Sequence, residues 1–234
     1  MLKVFTAFSG YDSQCMALDR IGIDYELVGW SEIDKYAIQA HNAIYPQWAG
    51  RNYGDISKID WSSVPDFDLF TYSFPCQDIS SAGLQKGFKQ GDGTRSGLLW
   101  ECEKAIIAKR PAYLLMENVK ALVSKKFLPL FQQWLNLLVS YNYRNHWAIL
   151  NAKDFGVPQN RERVFCVSLR SDVSHGFQFP PTFPLQHTLA DVLEDEVEER
   201  YYLSNDRING LLDSTIKEMQ NKNGFKFQVK KKVT

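Results

Sequence analysis

The sequence predicts an α/β domain in which strands alternate with helices, and three observations predict it. Apolar runs of strand length recur with stretches of helical periodicity between them. The first run breaks at Ser9-Gly10 directly into a helical pattern, the hand-over expected where a strand leaves a sheet and a helix returns over its face. The third run, Asp68 to Phe74, is stopped by Pro75, which fixes φ at about −65° and removes a backbone donor.

Taken in order, Lys3 to Phe8 reads as a buried strand. It is followed by the turn Ser9-Gly10-Tyr11-Asp12-Ser13 and a helix carried by Gln14, Met16, Ala17, Leu18 and Ile21. Backbone amides at such a helix start suit an anionic or polar group, although one glycine is a weak signal beside a full Gly-rich fingerprint. A second strand, Tyr25 to Trp30, ends at Ser31-Glu32-Ile33-Asp34, before a helix from Lys35 to Ile44. An acid at this distance from the first turn is placed to bind a ribose. The ordinary alternative for Glu32 and Asp34, an acid favouring the helix dipole, is equally consistent with the spacing. Gly54-Asp55, before Ile56, reads as a turn.

Pro75 leaves Cys76 at a strand end, and in an open α/β sheet ligands bind just outside the carboxyl ends of the strands. By position alone a buried structural cysteine is the stronger reading; the residues further along reverse it. Ser80 to Ser96 carries Gly83, Gly87, Gly91 and Gly93 with almost no apolar period, which reads as a long functional loop. Leu98 to Lys109 returns to helical period, and Ala112 to Met116 is a strand ending at Glu117-Asn118-Val119, which on its own reads as a cap or turn. Phe127 to Tyr141 is a strongly apolar, packed helix. Tyr143 to Asn151 and Arg163 to Leu169 read as an antiparallel pair. Between them Arg161 and Arg163, two apart on extended chain, point to one face, as phosphate or carboxylate recognition requires and as a solvated hairpin rim also allows.

Composition bounds the function. Lys plus Arg and Asp plus Glu both number 27, so any nucleic-acid site must be local rather than a property of the whole chain. The apolar runs are far shorter than a membrane span, and Met1-Leu2-Lys3 leads straight into a strand without a signal peptide, so a cytoplasmic protein is expected. The four cysteines, Cys15, Cys76, Cys102 and Cys166, form no Cys-x-x-Cys pair and have no histidine at ligand spacing, so neither a metal site nor a disulfide is expected. Pro180, Pro181 and Pro184 mark a boundary. Beyond it Asp191 to Glu199 carries six acids, and Lys217 to Thr234 carries six lysines and one acid.

Phe8-Ser9-Gly10, Glu32-Ile33-Asp34, Phe74-Pro75-Cys76-Gln77, Glu117-Asn118-Val119 and Gln159-Asn160-Arg161-Glu162-Arg163, in this order, resemble the DNA (cytosine-5) methyltransferases of bacteria and phages. The resemblance spans residues 3 to about 170. It implies an S-adenosylmethionine-dependent, Rossmann-like methyltransferase fold with a doubly wound, mostly parallel sheet over residues 1–179, and the start of a small target-recognition region over 180–234. It implies that Phe8, Ser9 and Gly10 approach the methionine part of the cofactor, that Glu32 binds its ribose, and that Ile33, Asp55 and Ile56 border its adenine. Ser73, Pro75 and Leu98 belong to the same pocket. The family's scheme makes Cys76 the nucleophile toward carbon 6 of a cytosine flipped out of double-stranded DNA. Glu117 is then the partner of ring nitrogen 3 and the exocyclic amine, with Arg161 and Arg163 assisting.

The departures are specific. Asp12 and Ser13 stand where many members carry glycines, Thr6 where an acid is common, and Ile33 where an aromatic is frequent. No counterpart of the family's two late motifs follows residue 170, so a second polypeptide carrying them is an expected partner. Two other readings keep the chemistry or lose it: a transfer-RNA cytosine methyltransferase, and a non-catalytic cofactor- or DNA-binding part of a split enzyme.

Overall fold

The computed structural model describes residues 1–76, 96–173 and 175–221. Six strands form one mixed sheet: β1 Leu2–Ala7, β2 Tyr25–Ser31, β3 Leu69–Tyr72, β4 Tyr113–Val119, β5 Tyr143–Asn151 and β6 Glu162–Arg170, in the order β2-β1-β3-β4-β6-β5. The β1–β2, β1–β3 and β3–β4 pairs are parallel, whereas β6 runs antiparallel to both β4 and β5. The helices are α1 Ser13–Arg20, α2 Lys35–Ile44, α3 Leu99–Lys109, α4 Leu128–Ser140 and α5 Asn205–Asn221.

Successive residues of the parallel strands point to opposite faces, and the core divides accordingly. Phe5, Val28 and Phe70 join Leu114, Met116, Val164 and the inner sides of α3 and α4 in the larger cluster. Their neighbours Val4, Leu27 and Leu69 turn the other way, onto Cys15, Met16 and Leu18 of α1 and Ile38 of α2. Helices thus cover both faces, which makes the sheet doubly wound as expected. Burying Phe131, Trp134, Leu135 and Leu138 of α4 contributes about 1.5–3 kcal/mol apiece, enough to fix that helix against the sheet. Where β2 crosses β1, a Cβ on Gly29 would lie 2.7 Å from both Phe5 and Tyr53, so only glycine fits beneath those rings.

Of the boundaries that differ from the sequence reading, two bear on the site, each for a backbone reason. The first strand ends at Ala7 rather than Phe8, because Phe8 takes a positive φ of 55° and already belongs to the turn. The fourth continues through Glu117-Asn118 to Val119 instead of stopping at Met116, because β6 pairs with it to the end, Glu117 opposite Phe165 and Val119 opposite Arg163. The antiparallel β5–β6 pair is present as expected.

After β6, His175 stacks on Tyr113, Phe177 meets His146 and Phe183 meets Phe155, so the chain stays on the body of the domain as far as Phe183. From residue 184 to 213 every residue is exposed. Among the described residues, no helix is long and apolar enough to cross a membrane, and no group of His, Cys, Asp or Glu could hold a metal ion.

Candidate active site

The carboxyl ends of β1, β2, β3 and β4 converge, and each contributes one part of the site. At the end of β3, Phe74 is buried and carries Pro75 and the half-buried Cys76 out of the sheet. Asn118, also buried, donates from Nδ2 to the Phe74 carbonyl at 2.9 Å, while its Oδ1 accepts from the Val119 amide. This side chain ties the segment that leaves β3, two residues before Cys76, to the end of β4, next in sequence to Glu117. Burial pushes up the thiols of Cys15, Cys102 and Cys166, the last to about 11, which keeps them protonated and unreactive. Cys76 is the cysteine that is not buried.

Glu117 and Arg163 form an ion pair, Nε to Oε1 at 3.0 Å, with roughly a quarter of each side chain exposed. Burial raises the Glu117 carboxyl above the ordinary glutamate range; Arg163, Arg161 and a hydrogen bond from Ser73 oppose this without cancelling it. The two arginines come from the segment entering β6 and, with Glu117, line the same cavity, so the shared face expected from their spacing is realised. Asn151 holds this segment in place by accepting from the Arg161 amide at 3.0 Å.

The cavity, of about 820 Å³, lies between α1 and the β5–β6 connection, over the ends of β3, β4 and β6. Phe8, Ser9, Ser73, Glu117, Arg161 and Arg163 line it together with apolar side chains such as Leu18, Leu115 and Phe165. Gly10, Glu32, Ile33, Asp55, Ile56, Pro75, Cys76 and Leu98 are not among its lining residues. Several of these form an adjoining rim instead. The Gly10 amide donates to Glu32 Oε2 at 3.0 Å, across the gap between the first turn and the end of β2. Gly10 takes φ 58°, and a Cβ there would meet nothing, so the glycine serves the turn's conformation. Asn52, unrecognised in the sequence, exchanges hydrogen bonds with the Glu32 backbone and accepts from Gly54, tying the Glu32 corner to the Gly54-Asp55 turn.

The two acids after β2 separate cleanly. Asp34 caps α2, accepting from Tyr36 and Ala37 at 2.9 Å each. Glu32 instead gathers the amides of Gly10, Ile33 and Asp34. A carboxylate offers about four lone-pair sites, so room remains for a ligand hydroxyl. Ile33 is 72% exposed and free to lie against a planar ring. Asp55 is held by Ser57, whose hydrogen bonds lower its carboxyl below the usual range. Ile56 is 3% exposed and its side chain belongs to the larger core, so only its backbone could meet a ligand.

The departures in the first turn compensate one another. Asp12, in the left-handed conformation at φ 69°, accepts from Thr6 Oγ1 at 2.8 Å and lies 3.5 Å from His41 Nε2, both side chains fully buried. The turn thus supplies a buried carboxylate beneath a strand that has none.

The residues fit S-adenosylmethionine. The cavity lies within the roughly 300–1,000 Å³ typical of small-molecule sites, and apolar wall alternates with polar side chains such as Ser9, Ser73, Glu117 and Arg161. The buried Ser9 Oγ on its wall has no partner among the described residues. The Ser80–Ser96 loop lies outside the described residues except at its end.

Comparison with known proteins identifies relatives of this chain. The family described as C-5 cytosine-specific DNA methylase matches residues 2–234. The type II methyltransferase M2.ScrFI of Lactococcus lactis subsp. cremoris is 40% identical, the alignment covering 89% of this chain and 72% of that protein. The orphan methyltransferase M.SPRI of Bacillus phage SPR is 34% identical, covering 95% of this chain and 56% of that protein. The chain thus spans about half to three quarters of the length of such relatives. Among solved structures, a Spodoptera frugiperda DNMT2 mutant superposes with a TM-score of 0.73 at 20% identity, over 92% of this chain and 66% of that one. The Entamoeba histolytica methyltransferase EhMeth gives 0.72 at 19%, over 91% and 66%. At these identities the structures speak for the fold alone.

Proposed function

Because the chain belongs to the C-5 cytosine-specific DNA methylase family, we propose that it methylates carbon 5 of cytosine in double-stranded DNA, using S-adenosylmethionine. The observation that supports this reading is the Asn118 clip, which ties the segment leading to Cys76 to the strand end that carries Glu117, a carboxyl group raised by burial.

Cytosine carbon 5 is too weak a nucleophile to be methylated unaided. Addition of the Cys76 thiolate to carbon 6 makes the ring electron-rich, and Glu117, protonated more readily than an ordinary glutamate, donates to ring nitrogen 3 and accepts from the exocyclic amine. The bound cofactor supplies an electrophilic methyl group. Loss of the carbon 5 proton and breakage of the sulfur–carbon 6 bond then restore the aromatic base and free Cys76. Arg163 holds Glu117 in place and supplies positive charge near the thiolate and the base's 2-oxo group, with Arg161 beside it. These atoms are hidden in a duplex, so the base must leave the stack, at a cost of roughly a few kcal/mol.

Phe8, Ser9 and Ser73 would hold the cofactor's methionine end. Glu32 would take its ribose, and Ile33, Asp55 and the Ile56 backbone its adenine, with Gly10, Pro75 and Leu98 shaping the surroundings. Exposed Lys125, Lys126 and Lys153 follow the carboxyl ends of β4 and β5 and suit phosphate contacts, which reconciles a neutral chain with a nucleic-acid partner. Residues 1–179 form the catalytic unit in this reading, and 180–234 begin a target-recognition region. Bisulfite mapping of DNA from cells expressing the protein tests the proposal: new 5-methylcytosine in a fixed sequence context supports it. Methylation of RNA alone would assign the substrate to transfer RNA instead.

A polypeptide of residues 1–234 is expected to bind S-adenosylmethionine weakly, because the α1 side of the cavity is open, with Ile21 70% exposed on its wall. Addition of a polypeptide carrying the family's late motifs should tighten binding and restore transfer. Calorimetry decides: tight binding by residues 1–234 alone would show that this wall needs no further cover.

A further inference from the structure

The parallel pairing of β3 with β4 puts Tyr72 beside Met116, and the next residues along are Ser73, just past the end of β3, and Glu117, still within β4. Both line the cavity. From the opposite wall, Gln14 of α1 donates through Nε2 to Ser73 Oγ at 3.4 Å. A serine hydroxyl has one proton to give and lone pairs to accept with, so accepting from Gln14 leaves its proton free for the carboxylate. Gln14 stands one residue into the helix that leaves the first turn, on the wall shared with Phe8 and Ser9.

We propose that Ser73 is a positioning residue for Glu117, its hydroxyl oriented by the Gln14 amide and donated to the Glu117 carboxylate. The inference rests on the assignment of Glu117 to the flipped base. Arg163 grips this carboxylate from β6 and Ser73 from β3, so the carboxyl plane is set from two sides before any base arrives. The Gln14 link also joins the turn on the cofactor side to the group on the base side. An ordered first turn therefore steadies Glu117, and a displaced one releases it.

The two parts of the idea have separate readouts. In the full chain labelled with carboxyl-13C glutamate, Glu117→Gln identifies the Glu117 resonance by its loss, and the remaining variants are titrated. Because the Ser73 hydrogen bond stabilises the ionised form, Ser73→Ala should move the Glu117 titration to higher pH. Ser73→Thr, which keeps the hydroxyl, should return it, and Gln14→Leu should move it in the same direction by less. In methyl transfer, supplied with the late-motif polypeptide where needed, Ser73→Ala should lower kcat on the order of tenfold with KM for DNA unchanged. A titration in Ser73→Ala that coincides with wild type overturns the proposal. If the titration moves but Glu117→Gln methylates at the wild-type rate, it is the assignment of Glu117 to the base that fails, and the catalytic role of Ser73 with it.

Discussion

Cys76→Ser is expected to abolish the covalent adduct that the proposed mechanism should trap with S-adenosylmethionine, DNA containing 5-fluorocytosine and the late-motif polypeptide, while Cys102→Ser leaves it intact. Fluorine at carbon 5 cannot depart as a proton does, so the sequence of steps stops with the enzyme still attached at carbon 6. A serine hydroxyl ionises far less readily than a thiol and should form no adduct on the same timescale. Cys102 is a sound control because it is buried on the inner side of α3 with its thiol pushed well up, out of reach of any base. Denaturing electrophoresis reads the result as a shifted band. A shifted band that persists in Cys76→Ser would refute the assignment.

Glu117→Gln is expected to slow methyl transfer by roughly 10²–10⁴-fold, the range for losing a positioned acid or base, without lowering the melting temperature at pH 8. Burial raises the carboxyl's pKa in the folded protein above its ordinary value of 4.5. The stability this group contributes is therefore fully present below the unfolded value and is lost as pH rises through the folded one. At pH 8 the wild type has already lost it, whereas glutamine resembles the protonated carboxyl at every pH. The variant should thus melt no lower than wild type at pH 8, and the difference should close toward pH 4. Scanning calorimetry at the two pH values, beside single-turnover rates, checks both halves. Parallel losses of melting temperature and rate at pH 8 would mark Glu117 as a structural residue instead.

The catalytic half of the site was more legible than the cofactor half. Cys76 could be placed past a strand end because Pro75 cannot continue a strand, which here stops already at Tyr72, and Arg161 and Arg163 share a face because extended chain alternates. Glu32 and Asp34 could not be told apart, since spacing reports distance along the chain and both lie near a helix start. Only the amide of Gly10, reaching across from another strand's turn, separates them. Reading Glu117-Asn118 alone as a cap or turn failed because the register with β6 keeps that segment extended, a fact held 48 residues away (165 − 117) in the pairing of Glu117 with Phe165.

By itself the sequence determined the alternation of strands and helices, the division of apolar residues between two faces, and the strand end that carries the thiol, because each depends on backbone sterics and periodicity within a few residues. The tertiary structure alone decided which polar side chains meet. Asn118 reaches Phe74 across 44 residues, Gln14 reaches Ser73 across 59, and Asn52 joins Glu32 across 20. A single buried hydrogen bond leaves no periodic trace in the chain, and its partners are chosen only when the strands that carry them come into register.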